Sequence, residues 1–203
     1  MGIDDLLTRD GLAPGARLLV LAMAAVWRGD WEQLAAAAHR GRVHGQPRSE
    51  FEEMLLQAVL FAGFPRAVTA FETLAEVWPP PAAPGGGALP ASEQPAAGRQ
   101  LFAAIYGRND TAVQAMLASF HGEFRSFVLD VAYGRILARP GLDPGVRELL
   151  AVGVLAVQDQ VRQFVAHARG ALNLGRSKDE LREVLVTVFG DSPAVDAWLQ
   201  RLR

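Results

Sequence analysis

The chain contains one pattern twice: Leu12-Ala-Pro-Gly-Ala-Arg-Leu-Leu19 and, 130 residues later, Leu142-Asp-Pro-Gly-Val-Arg-Glu-Leu149. Proline and glycine followed by a long apolar run are typical of the start of a buried helix, because proline fits the first helical turn. The match predicts an internal duplication, with two helical units packed about a pseudo-two-fold axis. Further identities at the same offset are Gln33 with Gln163, Gly45 with Gly175, Glu50 with Glu180 and Glu53 with Glu183.

The composition predicts an all-α fold. Half of the 203 residues are hydrophobic and 21% are charged, a balance typical of a globular protein with a substantial core. Strong helix formers fill most segments, including a long one over residues 109–138, and proline and glycine separate them. Residues 79–98 are rich in proline, glycine and alanine and are predicted to be a linker. The expected organisation is a first repeat over 1–78 and a second repeat over 99–203.

Charge and residue counts exclude several classes of function. The net charge is −2, which argues against a nucleic-acid partner. The longest uncharged apolar run, residues 18–27, is shorter than the roughly 20 residues that cross a bilayer, so we expect no membrane insertion. The chain contains no cysteine, which excludes thiol catalysis and thiolate metal sites by its own residues, and its four histidines are scattered. We therefore expect a cytoplasmic protein with no metal and no other cofactor.

The second repeat carries a set of polar side chains that predicts a site. Glu148 lies near the start of one predicted helix and His167 on the next, and the turn between them falls near residues 158–159. In an antiparallel hairpin both side chains lie about 12–16 Å from the turn, so we expect them to touch. Gln160 and Gln163 precede His167 by seven and four residues and share its helix face.

The first repeat lacks this pair. The 130-residue offset places Leu18 opposite Glu148 and Ala37 opposite His167, and His39 would match His167 only if a local gap shifted the alignment. We therefore predict one candidate site per chain and a degenerate site in the first repeat. A structural interpretation stays open, because a buried glutamate and histidine satisfy each other's polar groups and can simply tie two helices together.

Several segments resemble the repeat of the carboxymuconolactone decarboxylase and alkyl hydroperoxidase D-like family. The resemblance covers residues 12–78 and about 99–195, which is most of the chain. It implies a duplicated all-α subunit that forms a homo-oligomer, with a trimer favoured for a chain of two repeats. The segments that carry the resemblance are Tyr133–Leu150, His167–Gly175, Ser177–Val184 and, at the end of the first repeat, Phe61–Ala67.

The two branches of this family imply different chemistry at the same positions. In the alkyl hydroperoxidase D branch a Cys-x-x-Cys pair carries the reaction, and the matching positions here are Gln160 and Gln163. Glutamine cannot act as a thiolate nucleophile, so the chain is not a thiol peroxidase of that kind. In the decarboxylase branch a carboxylate usually precedes the histidine by four residues, where this chain has Gln163.

The resulting hypothesis is a cofactor-free acid–base enzyme, a lyase of the decarboxylase type, that acts on a small lactone or carboxylic acid. Glu148 and His167 are the predicted catalytic residues. The alternative is a non-catalytic member of the family that binds a small molecule or serves as an oligomeric scaffold. Arginine suits an anionic substrate and glutamine a polar one, and the predicted substrate-binding residues are Gln160, Gln163, Arg147 and Arg169.

Overall fold

A computed structural model describes residues 1–81 and 87–202 of the protein. Every regular element in these two ranges is helical, which confirms the all-α prediction. A 3₁₀ turn, Gly107–Asn109, joins α5 to α6, and a π-helical segment, Phe127–Leu137, continues α7. The helices in chain order are α1 (Ile3–Leu7), α2 (Pro14–Arg28), α3 (Trp31–Val43), α4 (Arg48–Val77), α5 (Gln94–Tyr106), α6 (Asp110–Phe120), α7 (Gly122–Ser126), α8 (Pro144–Val157), α9 (Val161–Asn173), α10 (Lys178–Phe189) and α11 (Pro193–Gln200).

Helices α2 and α8 pack against each other at the centre of the molecule. Every residue from Arg17 to Val26 in α2 and from Arg147 to Ala156 in α8 is buried. Burial on nearly all sides is the reason that α2 is apolar from Leu18 to Val26 and α8 from Leu149 to Ala156, instead of amphipathic. Helices α3 and α4 cover α2, and α9 and α10 cover α8, so each half of the chain contributes a three-helix unit.

Local sequence features explain where the hairpin of α8 and α9 begins and turns. Pro144 occupies the first turn of α8, and the carboxylate of Asp143 accepts the backbone N–H of Val146 at 3.0 Å, which caps the helix. Helix α8 ends at Val157, and the chain turns through Asp159, whose φ of 56° lies in the left-handed region. The connection is short, so α9 returns along α8 in the opposite direction.

A second and smaller core lies between α5 and the π-helical segment. These two elements cross at Gly98 and Gly134, where a Cβ on Gly98 would lie 2.6 Å from the Cα of Gly134. Helix α5 also packs on α9, so this unit forms a wall beside the second half of the hairpin. The buried residues of the second core are Phe102, Ile105, Leu129, Tyr133 and Leu137.

The single helix predicted over 109–138 is divided in the structure. Its backbone is extended at His121 (φ −170°, ψ 133°), so α6 ends at Phe120 and a new helix starts at Gly122. Glycine lowers helix propensity at this point, and the apolar side chains of the segment gave no sign of the break. The chain then widens into π-helical geometry, which a hydrophobic pattern does not distinguish from an α-helix.

The stretch predicted to be a linker, residues 79–98, overlaps α5. Its residues 82–86 lie outside the described residues. Helix α5 begins at Gln94, so the last five residues of the predicted linker are helical, with Pro95 in the first turn. Proline is well tolerated at this position of a helix, although composition alone indicated a linker. The division into repeats over 1–78 and 99–203 stays a prediction.

Helix α4 is the one helix in the described residues that is long and apolar enough to cross a membrane by length and composition. Gly63 interrupts it with non-helical angles (φ 76°, ψ 169°), and Pro65 follows. The interruption leaves stretches 48–62 and 64–77, each shorter than the roughly 20 residues of a bilayer span. Phe51, Met54 and Leu74 pack into the main core, as expected of two successive core helices.

Two clusters of ion pairs join the halves of the chain. In each cluster one glutamate from one half binds two arginines from the other half. Each residue of the first cluster lies 130 positions from its counterpart in the second. The duplication and the pseudo-two-fold axis stay predictions, and these reciprocal contacts support them. The clusters are Glu53 with Arg139 and Arg147, and Glu183 with Arg9 and Arg17, at N–O distances of 2.7–3.0 Å.

Candidate active site

Glu148 and His167 meet across the hairpin of α8 and α9. The Oε2 of Glu148 lies 2.9 Å from the Nδ1 of His167, so the contact expected from the spacing is present. The hairpin places both side chains at the same distance from the turn, as the helical rise requires. This hydrogen bond occupies Nδ1, so Nε2 is the ring nitrogen that the carboxylate does not engage.

The two partners differ in exposure. The side chain of Glu148 is 1% exposed and that of His167 is 15% exposed, so the pair opens towards solvent through the imidazole. Burial lowers the pKa of His167, but the negative charge of Glu148 and its hydrogen bond together outweigh burial and raise the pKa above its ordinary value. The contact with Glu148 therefore favours the protonated imidazole, which is the form that can donate a proton.

Two tyrosines lie beside this pair. The Tyr133 hydroxyl donates a hydrogen bond to the hydroxyl of Tyr106 at 3.3 Å, and the ring of Phe102 packs against both rings, with centroid distances of 4.4 Å to Tyr106 and 4.7 Å to Tyr133. The negative charge of Glu148 acts on both phenols. These are the two tyrosines of the chain. Sequence reasoning missed them, because they lie 27 residues apart on elements whose crossing no local pattern predicts.

Gly170 brings the carboxylate of Glu148 against α9. A Cβ at this position would lie 2.6 Å from the Oε2 of Glu148 and 2.7 Å from the Cγ2 of Ile105. The absence of a side chain is therefore what allows α5, α8 and α9 to meet at the pair. A signal for this residue existed in the sequence, since Gly170 follows His167 by three residues and shares its helix face.

A groove of about 870 Å³ lies between α9 and the segment from α5 to α6, and its lining includes Ile105 and Tyr106, which lie beside Glu148, but neither Glu148 nor His167. On α9 it is lined by Ala166 and Arg169, and on the other side by Tyr106 and Arg108. Apolar side chains form its walls and two guanidinium groups lie along it, which suits a small acid with an apolar body. Its apolar lining includes Ile105, Val113, Met116 and Leu172.

The predicted substrate-binding glutamines lie on the surface. Gln160 precedes α9, its side chain makes no capping bond there, and both Gln160 and Gln163 are exposed. They share a helix face with His167 as the spacing requires, but the structure records no hydrogen bond from either side chain to the Glu148–His167 pair. Their predicted role in substrate binding stays a prediction.

The two predicted arginines have different surroundings. Arg147 is 1% exposed, and its Nη2 donates to Glu53 at 2.7 Å and to the backbone carbonyl of Arg139 at 3.2 Å. Its charge is already balanced within the core by Glu53, and its predicted role in substrate binding stays a prediction. Arg169 is exposed and lines the groove, so it is the arginine of this pair that can meet a ligand.

The positions that are predicted to be equivalent in the first half of the chain are apolar and buried. Leu18 and Ala37, which the 130-residue offset places opposite Glu148 and His167, are 1% and 0% exposed. His39 is exposed. Within residues 1–81 and 87–202, no group of three or more His, Asp or Glu side chains is arranged to hold a metal ion.

A comparison with known sequences supports the family resemblance described above for the hairpin that carries the Glu–His pair. The profile of the carboxymuconolactone decarboxylase family matches residues 122–199, from α7 to α11. This region contains both Glu148 and His167. Over this part, the chain is therefore similar to the carboxymuconolactone decarboxylase family.

Three curated relatives are similar to parts of the chain. The 4-carboxymuconolactone decarboxylase of Acinetobacter baylyi is 31% identical over 83 residues, which are 40% of this chain and 62% of the relative. Peroxisomal protein 2 of Schizosaccharomyces pombe is 27% identical over 136 residues, 65% of this chain and 63% of the relative. The nitrosuccinic acid decarboxylase of Metarhizium robertsii is 34% identical over 62 residues, which are 30% of this chain and 43% of the relative. The chain spans less than two thirds of each.

Proposed function

We propose that the protein is a cofactor-free acid–base enzyme that removes CO₂ from a small lactone acid or related carboxylic acid. Glu148 and His167 are its catalytic residues. The observation that carries the proposal is the 2.9 Å contact between them, in which a buried carboxylate holds a partly exposed imidazole. Two of the three relatives described above are decarboxylases by name, which supports the same class of reaction.

The proposed chemistry uses the proton of His167. When the bond to the carboxylate carbon breaks, CO₂ leaves and the electron pair moves into a conjugated carbonyl, forming an enolate. The imidazolium of His167 delivers a proton to the carbon of the enolate, and water restores the proton to the imidazole. Glu148 orients the ring through Nδ1 and stabilises its positive charge.

An anionic substrate fits the charges around the pair. Arg169 lies two residues from His167 and lines the groove, where its guanidinium can hold a carboxylate in a bidentate contact. Gln160 and Gln163, at the start of α9, are proposed as further polar contacts to the substrate. The apolar walls of the groove suit the carbon skeleton of such a substrate.

We propose a cytoplasmic homo-oligomer, with a trimer favoured, as the working form. Large apolar side chains that are exposed on a single chain are typical of surfaces covered by another subunit. Four phenylalanines of this kind lie on α4, α6, α7 and the π-helical segment. They are Phe64, Phe120, Phe124 and Phe127, with 47–74% of their surface exposed.

A second function is a non-catalytic protein of the same family that binds a small molecule or forms a scaffold. The nearly complete burial of Glu148 favours this alternative, because a buried Glu–His contact can hold α8 and α9 together without taking part in a reaction. The two functions differ in whether removal of the imidazole abolishes turnover or only lowers stability.

The test measures CO₂ release from 4-carboxymuconolactone, and thermal shift with a panel of small lactones and carboxylic acids. We expect wild-type turnover and a decrease in kcat of about 10²-fold or more in His167→Ala and Glu148→Gln, the range of general acid–base catalysis. A bound ligand raises the free energy of unfolding by RT ln(1 + [L]/Kd), so thermal shift detects binding without turnover.

His121→Ala is the matched control, because His121 is exposed and lies outside the hairpin of α8 and α9. It should retain wild-type kcat. If His167→Ala folds and keeps wild-type turnover, or if no compound is bound or converted while His167→Ala melts several degrees lower, the catalytic proposal is wrong and the pair is structural.

A further inference from the structure

Tyr106 lies between the groove and the Glu148–His167 pair. It lines the groove, and its neighbour Ile105 packs against Gly170, the glycine that also contacts Glu148. The Nδ2 of Asn173 donates to the backbone carbonyl of Ile105 at 2.8 Å, which fixes the end of α5 against α9. These contacts fix the backbone beside Tyr106, and its phenol contacts Phe102 and Tyr133.

The hydroxyl of Tyr133 orients the hydroxyl of Tyr106. Tyr133 is buried, and among the described residues its hydroxyl has one hydrogen-bond partner, the oxygen of Tyr106 at 3.3 Å. A buried hydroxyl group directs its hydrogen to the acceptor that is available, so Tyr133 donates and Tyr106 accepts. This arrangement leaves the hydrogen of Tyr106 available to a molecule in the groove.

Both phenols stay neutral at physiological pH. Burial raises the pKa of Tyr106 and the charge of Glu148 raises it further, while the bond from Tyr133 acts in the opposite direction. Burial and the same carboxylate raise the pKa of Tyr133 well above its usual value. A neutral phenol whose oxygen already accepts a hydrogen bond is a stronger donor through its own hydrogen.

We propose that Tyr106 is a further catalytic residue, which donates a hydrogen bond to the carbonyl oxygen of a lactone acid bound in the groove, and that Tyr133 is its positioning residue. The inference rests on the proposed function. As CO₂ leaves, the electron pair of the broken bond moves onto this oxygen, and the hydrogen bond from Tyr106 stabilises the enolate. The proton stays on Tyr106, and His167 supplies the proton that the carbon gains.

The test compares Tyr106→Phe and Tyr133→Phe, which keep the aromatic packing and remove one hydroxyl group each. We expect Tyr106→Phe to lower kcat for 4-carboxymuconolactone by about 10²–10³-fold with KM nearly unchanged, as for loss of one oxyanion donor. Tyr133→Phe should lower kcat by about tenfold, because the donor remains but loses its orientation. His121→Ala, which changes an exposed residue outside the groove, should leave kcat unchanged.

A binding measurement separates this inference from the proposed function. The probe is 5-oxotetrahydrofuran-2-carboxylate, a saturated lactone acid, and the readout is the ultraviolet difference spectrum of tyrosine, of which the chain has two. We expect a difference band in the wild type and in Tyr133→Phe and none in Tyr106→Phe. If the wild type turns the substrate over and Tyr106→Phe has the same kcat, the proposed role of Tyr106 is wrong and the proposed function is unaffected. If the wild type turns nothing over, a band at the highest soluble probe concentration still supports the contact, and its absence overturns it.

Discussion

The pKa of His167 is raised by a single neighbour, Glu148. Burial in the hairpin disfavours a charged imidazole, and the carboxylate of Glu148 reverses that preference through its charge and its hydrogen bond. Gly170 is part of the same arrangement, because any side chain there would meet the carboxylate. The acid–base character of the site therefore depends on three residues that are close in space, of which two are close in sequence.

A pH-dependent stability follows from the raised pKa of His167. The group contributes stability that is fully present below its unfolded pKa of about 6.5 and is lost as pH rises through the folded pKa. In Glu148→Gln burial acts alone, so the pKa of His167 falls and its contribution to stability rises with pH instead. Urea unfolding between pH 5.5 and 9 measures this, with a change of at most about 1.4 kcal/mol per pH unit for one proton.

The control for this experiment is His121→Gln, which changes an exposed histidine and should keep the wild-type slope. The slope is the quantity to compare, because Glu148→Gln can lower stability at every pH. Equal slopes in the wild type and in Glu148→Gln would show that the carboxylate does not control the protonation of His167.

The contact of Glu148 with His167 was predictable from the sequence because helical rise and a short turn fix the register of a hairpin. The roles of Arg147 and Tyr106 were not. Whether an arginine meets substrate or a buried glutamate depends on Glu53, which lies 94 residues earlier. Periodicity describes one helix at a time and contains no information on such distant partners.

Helix α5 and the π-helical segment are joined by a close crossing of their backbones. A Cβ on Gly134 would lie 2.7 Å from the carbonyl oxygen of Gln94, and one on Gly98 would lie 2.6 Å from Gly134. The crossing sets the position of Phe102, Ile105 and Tyr133 in the second core. Because α5 ends at Tyr106, this crossing also sets the inner wall of the groove.

Gly134→Ala should displace α5 and lower the free energy of unfolding by about 1–3 kcal/mol, the usual cost of overpacking a core. The two tyrosines should separate, which near-ultraviolet circular dichroism and tyrosine absorbance detect. Gly122→Ala is the matched control, since a Cβ there has no atom within 4 Å. A Gly134→Ala variant as stable as Gly122→Ala, with an unchanged tyrosine spectrum, would mean that the two elements do not cross closely.

The helices of the two central units were predictable, since long apolar runs begin at Pro14 and Pro144 and end at turn residues. The elements between them were harder to predict. The start of α5 lies in a segment whose composition indicates a linker, and the break at His121 falls inside an apolar pattern. In both places tertiary packing outweighs local propensity, because α5 gains its stability from the π-helical segment and from α9.

At the scale of the whole molecule, buried ion pairs connect the two halves of the chain. Arg147 and Arg17 are each 1% exposed, and each reaches a glutamate of the opposite half. The sequence showed the 130-residue offset and the matched glutamates, but not that the partners are exchanged between the halves. A buried arginine that lost its carboxylate would remain charged, because its pKa is too high for it to neutralise.

Glu53→Gln should therefore be strongly destabilising. It leaves Arg147 buried without a balancing charge, and we expect a loss of about 3–5 kcal/mol in the free energy of unfolding. Glu183→Gln should have a comparable cost, since Arg17 is buried to the same extent. Asp4→Asn is the control, because the Asp4–Arg40 pair is largely exposed and such pairs contribute about 0–1 kcal/mol. Urea unfolding at pH 7 measures all three.

Acid should unfold the wild type for the same reason. Burial raises the pKa of Glu53, but its bonds to Arg139 and Arg147 outweigh burial and lower it. The hydrogen bond from Arg9 is the main cause of the lowered pKa of Glu183. A lowered pKa contributes stability that is present above the unfolded value and lost as pH falls through the folded one. The fall in stability below about pH 4.5 should thus be shallower in Glu53→Gln than in the wild type. Equal acid sensitivity, or a Glu53→Gln cost no larger than that of Asp4→Asn, would show that the exchanged ion pairs do not hold the two halves together.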